Sequence, residues 1–316
     1  MNDLLKKYLL PDHSTRVQIV RLEQAWQVGL AHQSYPVPVQ RLLGELVAAS
    51  VLLASNLKFD GSLILQLQGD GPVALVVVEC TSELNIRATA TLRDGHTVPD
   101  SGTLQTLLNS QGQGRFIVVL DPNQKTQGFQ PYQGVVPLEG DSVAQVLEHY
   151  MASSEQLDTR LWLTADAQHA AGMLLQRLPD HGGLHQPQAK PDTQEATTPT
   201  AAETWERLLH LSATLKQTEL LELDSDTVIH RLFWQEDLLT FDPQPVAWHC
   251  PCTRERVAQM LQNLGQSEVD SIVQERGSVE IVCNFCGKPY HFDAVDCTGL
   301  FTGATQTGLP PDATVH

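Results

Sequence analysis

Apolar residues in the first half of the chain follow two patterns, one typical of helices and one typical of strands. Residues 39–57 carry apolar side chains at helical spacing over a wide face, which predicts a buried helix. A second helix is predicted from Asp141 or Ser142 to residue 153, because either side chain can cap a helix N-terminus. Strands are predicted at residues 63–68, 73–80, 86–92, 116–120, 132–136 and 160–164. Hairpins with helices between them indicate an α+β fold class, with a mixed α/β core domain at residues 1–178.

The pattern changes after this domain. Residues 178–200 are rich in Pro, Gly, Gln and Thr and lack periodicity, which predicts a flexible linker. Residues 201–239 are predicted to be helical, with Asp226 capping a second helix there. The apolar stripes of these helices contain Trp205, Leu208, Leu209, Ser212, Leu215, Val228, Ile229, Leu232 and Phe233. Such amphipathic helices are stable only when docked, so residues 179–242 are predicted to form a linker and a metastable helical region.

A small cysteine-bearing unit is predicted at residues 243–297, with a disordered tail at 298–316. Thr253 is the predicted cap of a helix that ends at Gly265, and Ser267 and Gly277 bracket a second helix. Two strands at residues 279–283 and 288–292 are predicted to form a hairpin around the last cysteine pair.

Four of the six cysteines form two close pairs. Cys250-Pro-Cys252 is followed, after 30 residues, by Cys283-Asn-Phe-Cys286-Gly287. Four thiolates make a tetrahedral Zn²⁺ site, with Zn–S distances of about 2.3 Å. A unit of about fifty residues is close to the size below which an apolar core rarely suffices alone. Metal binding can supply roughly 10–16 kcal/mol to such a fold.

Several functions are compatible with this cysteine pattern. A Cys₄ site is closed, so a structural zinc is the simplest interpretation and a catalytic zinc is disfavoured. A nucleic-acid-binding zinc ribbon is an alternative, although the unit is acidic and lacks a basic stripe. A thiol oxidoreductase is another, but it usually places its CxxC at a helix N-terminus rather than in a hairpin. The last is a redox switch, in which local disulfides would release zinc and unfold the unit.

Charge narrows the choice of partners and of compartment. The chain has 20 basic and 37 acidic residues, a net charge of −17, which disfavours nucleic acids and anionic membranes as partners. Residues 1–178 account for −5 of this charge and residues 179–316 for −12. The uncharged stretch 47–57 is about half of the ~20 residues that a membrane span needs, and the first residues lack a signal-peptide pattern. We therefore predict a cytoplasmic protein whose cysteines are reduced, metal-bound or in transient redox use.

The remaining candidate residues are predicted to have no role in chemistry. Cys80 lies in a predicted strand and is expected to be a buried apolar residue. Cys297 is an extra thiol that we expect to be inert, and His249 and His291 are expected to be bystanders beside four thiols. No phosphate-binding glycine loop and no nucleophile elbow occur in the sequence, so catalytic residues are not predicted and the chain is not expected to be an enzyme.

The chain resembles the redox-regulated 33-kDa heat-shock chaperone family over nearly its whole length. The resemblance rests on the CxC and CxxC pairs behind the first domain and on longer segments. These are LLGELVAASVLLASNLKFDGSLILQLQGDGPVALVVVECT, YQGVVPLEGDSVAQVLEHYMASSEQLDTRLWL, AAGMLLQRLP, CPCTRER and EVDSIVQERGSVEIVCNFCGKPYHFDAV. The chain differs from the family in Cys297 and in a linker that is longer than the family needs.

The resemblance implies a holdase chaperone whose activity depends on redox state. In the reduced protein, Cys250, Cys252, Cys283 and Cys286 would bind one zinc ion and the chaperone would be inactive. Hypochlorous acid, or peroxide with heat, would form the disulfides Cys250–Cys252 and Cys283–Cys286, with zinc release and unfolding of the C-terminal region. The active protein would hold unfolding clients without ATP, tend to form homodimers, and pass clients to ATP-dependent foldases. The first domain would bind clients and dimerise. The alternative is a zinc-ribbon protein or an RNA-binding module with a purely structural zinc.

Overall fold

The computed structural model describes residues 3–123, 131–179 and 200–302, and the chain divides into two compact units, residues 1–249 and 250–316. Nearly all of the predicted linker, at 180–199, and most of the predicted tail, at 303–316, lie outside the described residues.

The first unit has two β-sheets and seven helices among its described residues. In chain order the elements are β1 Leu4–Leu9, β2 Thr15–Leu22, α1 Gln24–Leu30, α2 Val37–Ala54, β3 Gly61–Gln68, β4 Val73–Thr81, β5 Asn85–Leu92, α3 Leu104–Leu108, β6 Arg115–Pro122, β7 Tyr132–Pro137, α4 Val143–Ser153, β8 Thr159–Ala165, β9 Ala170–Arg177, α5 Ala201–Ser212, α6 Gln217–Glu222, α7 Ser225–Phe233, β10 Leu239–Thr240, β11 Gln244–Pro245 and β12 Ala247–Trp248. The first sheet has the order β10-β1-β2-β9-β8, with β11 also pairing β1, and the second has the order β12-β5-β4-β3-β6-β7. The α+β fold class is confirmed, as are the predicted helices and strands of residues 39–164.

The main core of this unit lies around α2. Leu46, Val47 and Leu52 of this helix are fully buried and belong to one apolar cluster with strands of both sheets. By length and composition, Val37–Ala54 is long and apolar enough to cross a membrane, and 72% of it is buried inside the protein. Burial of this kind is what a core helix requires, because an all-round apolar helix needs apolar neighbours on every side.

A second apolar cluster covers the other face of the first sheet. Strands alternate their side chains, so Val17 and Ile19 of β2 and Met173 of β9 lie opposite the main core. On this outer face pack α5, α6 and α7, which we call the docked helices. Their buried residues are Trp205, Leu208, Leu215, Leu220, Val228, Ile229, Leu232 and Phe233. The predicted stripes are therefore the faces that dock.

Polar contacts also fix the docked helices to this sheet. Lys6 on β1 donates to the Asp226 carboxylate on α7 at 2.6 Å, and Arg21 on β2 donates to the Leu221 carbonyl at 3.0 Å. The Asp226 side chain is 71% exposed, so the ion pair contributes little and the apolar contact dominates. The prediction that Asp226 caps its helix is wrong. The cap is Asp224, whose carboxylate accepts from the Thr227 amide, because the helix begins two residues earlier than predicted.

The second unit contains α8 Arg254–Leu264, α9 Gln266–Arg276, β13 Ser278–Val282, β14 Pro289–Asp293 and α10 Ala294–Thr302. Its strands form the predicted antiparallel hairpin, and Thr253 caps α8 as predicted. Ser267 does not cap α9, which begins at Gln266 directly after Gly265, since the left-handed φ of 101° at Gly265 turns the chain between the helices. The predicted start of the tail at residue 298 is also wrong, because α10 continues to Thr302 and its Leu300 and Phe301 pack on the core of the unit.

Glu45 gives the first unit an expected pH dependence. This side chain is half-buried on α2, and burial raises its pKa to about 7 against a smaller opposing effect of Arg41. Unfolded glutamate titrates near about 4.3, so the native state binds this proton more tightly and the free energy of unfolding falls as pH rises from about 4.3 to 7. Glu45→Gln is neutral at every pH. We expect it to raise the free energy of unfolding by about 2–3 kcal/mol at pH 8 and by much less at pH 5. Urea unfolding at both pH values measures this, and an equal effect at the two would contradict it.

Candidate metal and redox site

The local structure of the second unit explains where the two cysteine pairs lie. Cys252 directly precedes Thr253, whose hydroxyl accepts from the Arg256 amide at 3.3 Å and begins α8. The CxxC pair lies in the turn of the β13–β14 hairpin, as predicted. There the Gly287 amide donates to the Cys283 carbonyl at 2.8 Å, and the φ of 68° at Gly287 lies in the left-handed region that glycine favours. The tight turn brings the sulfurs of Cys283 and Cys286 close together.

The structure brings the four predicted cysteines together. Their sulfurs all lie within 4.8 Å of one another, and all four side chains are half-buried. Four sulfurs at about 2.3 Å from a central ion would be about 3.8 Å apart, so this arrangement fits a tetrahedral thiolate site. All six cysteines are free thiols in this structure.

The shortest sulfur contacts run between the two pairs. Cys250 and Cys283 are 3.7 Å apart, and Cys252 and Cys286 are 3.2 Å apart. The reduced chain therefore has one four-sulfur cluster rather than two separate pairs. The disulfides Cys250–Cys252 and Cys283–Cys286 remain a prediction.

The four thiols differ in acidity. Burial raises the pKa of Cys250 to about 12, and burial also raises the pKa of Cys286. For Cys252, burial is outweighed by hydrogen bonds from Tyr290 and the neighbouring thiols, which lower its pKa to about 7. Cys252 is thus more acidic than Cys250 and Cys286, and a thiolate beside other sulfurs attracts a divalent cation.

The analysis of the sequence missed Tyr290. Its side chain is 5% exposed, and its hydroxyl has no partner at ordinary hydrogen-bonding geometry among the described residues. Interaction with the Cys252 sulfur raises the pKa of the phenol. The sequence feature that could have identified Tyr290 as buried is the alternation of β14, which places Tyr290 and Phe292 on the same inward face.

The remaining thiols and histidines lie outside the cluster. Cys297 is 1% exposed in the small core of the second unit, and Cys80 is fully buried in β4. Burial raises the pKa of both thiols, which supports the prediction that they are inert. Among the described residues the metal-compatible group consists of the four cysteines, without His249 or His291.

Comparison with known proteins identifies the family. The family model for the Hsp33 protein matches residues 3–293. The chain belongs to the Hsp33 family. A 33 kDa chaperonin of Methylobacillus flagellatus is 43% identical over 100% of this chain and 99% of its own length. Another, of Chromobacterium violaceum, is 45% identical over 95% of this chain and 94% of its own length.

Comparison of structures supports the same fold. The crystal structure of the 33 kDa chaperonin of Thermotoga maritima has a TM-score of 0.76 and is 22% identical, covering 96% of this chain and 99% of that chain. The Hsp33 family is a family of chaperones, and the four-cysteine cluster of this member is compatible with redox-regulated metal binding.

Proposed function

We propose that this chain is a redox-regulated, ATP-independent holdase of the reducing cytoplasm. The observation that carries the proposal is the single cluster of four half-buried sulfurs in a unit with a small apolar core. Membership of a chaperone family supplies the class of partner, namely proteins that are unfolding. Nucleic acids are not among the proposed partners, because the net charge of −17 repels phosphates.

In the reduced state Cys250, Cys252, Cys283 and Cys286 would hold one Zn²⁺ ion as thiolates. The bound ion would supply a cross-link between the segment before α8 and the β13–β14 turn. The core that this cross-link reinforces has seven buried apolar residues: Val257, Leu261, Val269, Val279, Tyr290, Phe292 and Cys297. So small a core makes the fold of the unit conditional on its ligation state.

Oxidation by hydrogen peroxide would remove the ligands. One thiolate of a pair attacks a peroxide oxygen, the O–O bond breaks, the leaving hydroxide takes up a proton from solvent to become water, and a sulfenic acid forms. The second thiol then attacks that sulfur and displaces water, so each pair loses two electrons and each peroxide yields two waters. In the proposal the pairs are Cys250–Cys252 and Cys283–Cys286, and hypochlorous acid is an oxidant of the same class.

Loss of the second unit would spread to the docked helices through the segment that joins them to Cys250. This segment holds only two-residue pairings, namely β10 and β11 on β1 and β12 on β5. Trp248 fixes its end by packing on Gly29, where a Cβ atom would lie 2.5 Å from the indole. Short pairings of this kind open easily once the chain beyond them is unfolded.

Undocking would expose the apolar surface that clients bind. It comprises the outer face of the first sheet and the apolar faces of the docked helices. Between residues 203 and 242 there are nine acidic and three basic residues, so the undocked segment repels itself and stays soluble with a client bound. The same exposed face would support homodimers of the active protein, and clients would pass to ATP-dependent foldases when reducing conditions return.

An aggregation assay tests this function. Light scattering of a thermally unfolding client is recorded with reduced, zinc-loaded protein and with protein treated with peroxide at elevated temperature, and zinc release is quantified in parallel. We expect suppression of aggregation only after oxidation, together with release of about one zinc per chain. Cys297→Ala is the matched control, because it removes a thiol outside the cluster and should switch like wild type. Equal activity in both states, or zinc retained after oxidation, would refute the proposal in favour of a structural metal.

A further inference from the structure

Two arginines, Arg254 and Arg256, lie in the first turn of α8, directly after the first cysteine pair. The Arg256 guanidinium donates to the Pro251 carbonyl at 3.1 Å, so the peptide between the two cysteines is tied to the helix that follows it. Thr253 caps the same helix. The first cysteine pair is therefore fixed to the start of α8.

Arg254 reaches from the start of α8 to the strand that follows the second cysteine pair. Its guanidinium donates to the carbonyl of His291 and lies 4.1 Å from the centroid of the Phe292 ring. Phe292 is 2% exposed in the core of the unit, and its strand β14 pairs with β13 across the turn that holds the CxxC pair. A cation over an aromatic face is attracted to it, and the hydrogen bond fixes the direction of the guanidinium. Arg254 thus links the two segments that bear the cysteine pairs.

The same guanidinium also binds the start of α10. It donates to the Asp296 carboxylate at 2.8 Å. Asp296 and Asp293 exchange hydrogen bonds between side chain and backbone amide, at 2.7 and 3.2 Å, which is the arrangement of a capping box. Further along, the Gln262 side chain donates to the Leu300 carbonyl at 2.7 Å, so α8 is tied to α10 at two points. An exposed ion pair alone is worth little, but this one side chain has three partners on two elements.

We propose that Arg254 is a positioning residue that holds the two cysteine pairs together and so strengthens metal binding by the second unit. The proposal rests on the proposed function of the cluster as a zinc site. Zinc binding by a small unit is coupled to its folding, so a contact that joins the ligand-bearing segments adds to the zinc affinity. Because oxidation and metal binding compete for the same thiolates, Arg254 would also raise the oxidant level needed to release zinc.

The first test compares Arg254→Gln and Arg254→Lys with wild type as full-length reduced proteins. Zinc affinity is measured by competition with a chromophoric chelator, and zinc release is followed over a series of peroxide concentrations. We expect about tenfold weaker binding in Arg254→Gln, with release at lower peroxide, because all three contacts lose the guanidinium. Arg254→Lys should restore part of the loss, since an ammonium can pair with Asp296 but cannot reproduce the stacked, forked geometry of the guanidinium. Glu275→Gln is the matched control, because it removes a carboxylate from an exposed ion pair within α9.

A double-variant cycle shows whether Arg254 acts through its partners or only through the general stability of the unit. Asp296→Asn should weaken zinc binding about threefold, because it removes the charge of one of the three partners. Adding Asp296→Asn to Arg254→Gln should weaken binding no further, since the ion pair is already lost. Leu261→Val trims a buried core residue about two turns further along α8, so its loss should multiply with that of Arg254→Gln.

Each outcome supports or overturns the role of Arg254. Wild-type zinc affinity in Arg254→Gln would overturn it, and so would a further loss when Asp296→Asn is added. Should Arg254→Gln fail to fold with zinc, Arg254→Lys and Asp296→Asn decide: wild-type affinity in either overturns the proposal, and the partial losses support it. The proposed function fails in a different way, when wild-type protein binds no zinc or is not activated by oxidant. Wild-type switching with an indifferent Arg254→Gln would therefore refute Arg254 alone.

Discussion

Chelation of zinc from the reduced protein is expected to unfold residues 250–302 while residues 3–179 stay folded. A metal of this kind supplies roughly 10–16 kcal/mol, which matches or exceeds the entire stability of a typical domain at about 5–15 kcal/mol. Among its described residues the second unit has a core of only seven buried apolar residues to set against that loss. Residues 3–179 have their own core around α2 and contain no cysteine of the cluster, so we expect their fold not to depend on the ion.

Hydrogen exchange measures this difference along the chain. Amides of β13 and β14 should lose their protection after chelation, whereas those of β3 and β6 should keep theirs. Cys283→Ser should behave as the chelated protein does without any chelator, because serine does not replace a thiolate ligand. Cys297→Ala provides the comparison, since its sulfur lies outside the cluster. Protected β13 amides in zinc-free protein would show that the apolar core alone holds this unit.

The spacing of apolar residues was sufficient to predict the elements of the chain between residues 37 and 165 that have a clear helical or strand pattern. The helix α2 and strands β3 to β8 each have an apolar periodicity that reports their burial, and all were predicted. Strand β9 was not, because seven of its eight residues are buried between the main core and the docked helices, which removes the alternation. Strand β1 was missed because Lys6 and Lys7 interrupt its apolar pattern. Lys6 is nevertheless accommodated by its ion pair with α7.

The four-cysteine cluster was predictable, but its surroundings were not. Cysteine spacing alone indicated that Cys250, Cys252, Cys283 and Cys286 lie together, because two close pairs of cysteines are typical of a four-sulfur site. The burial of Tyr290 depends on how β14 packs in the core of the second unit, which the sequence does not show. The surface under the docked helices was concealed in the same way. Their stripes were evident, yet β1 and β2, which they cover, lie near the start of the chain, and β9 is separated from α5 by more than twenty residues.

Leu208→Ala is expected to make the reduced, zinc-loaded protein an active holdase. Leu208 is fully buried between α5 and the outer face of the first sheet. Truncating a buried leucine costs about 2–5 kcal/mol. The docked helices have 12, 6 and 9 residues, too short to be stable in water without their docking surface. A loss of this size therefore falls on their docking equilibrium and raises the undocked population by more than tenfold, since each 1.4 kcal/mol is a factor of ten.

The measurement is aggregation suppression in reducing buffer, with zinc content determined on the same samples. Glu206→Ala is the matched control, because Glu206 is exposed on the same helix and is not a member of the apolar cluster. Hydrogen exchange should rise in α5 to α7 and stay unchanged in β13 and β14, so that activity appears with the cluster still reduced and loaded. Such a result would separate the two steps of the proposed switch, in which the cysteines control undocking of the helices and the uncovered sheet face binds the client. Faster exchange in α5 to α7 without any gain of activity would mean that clients bind elsewhere, because the outer face would then be open and still inert.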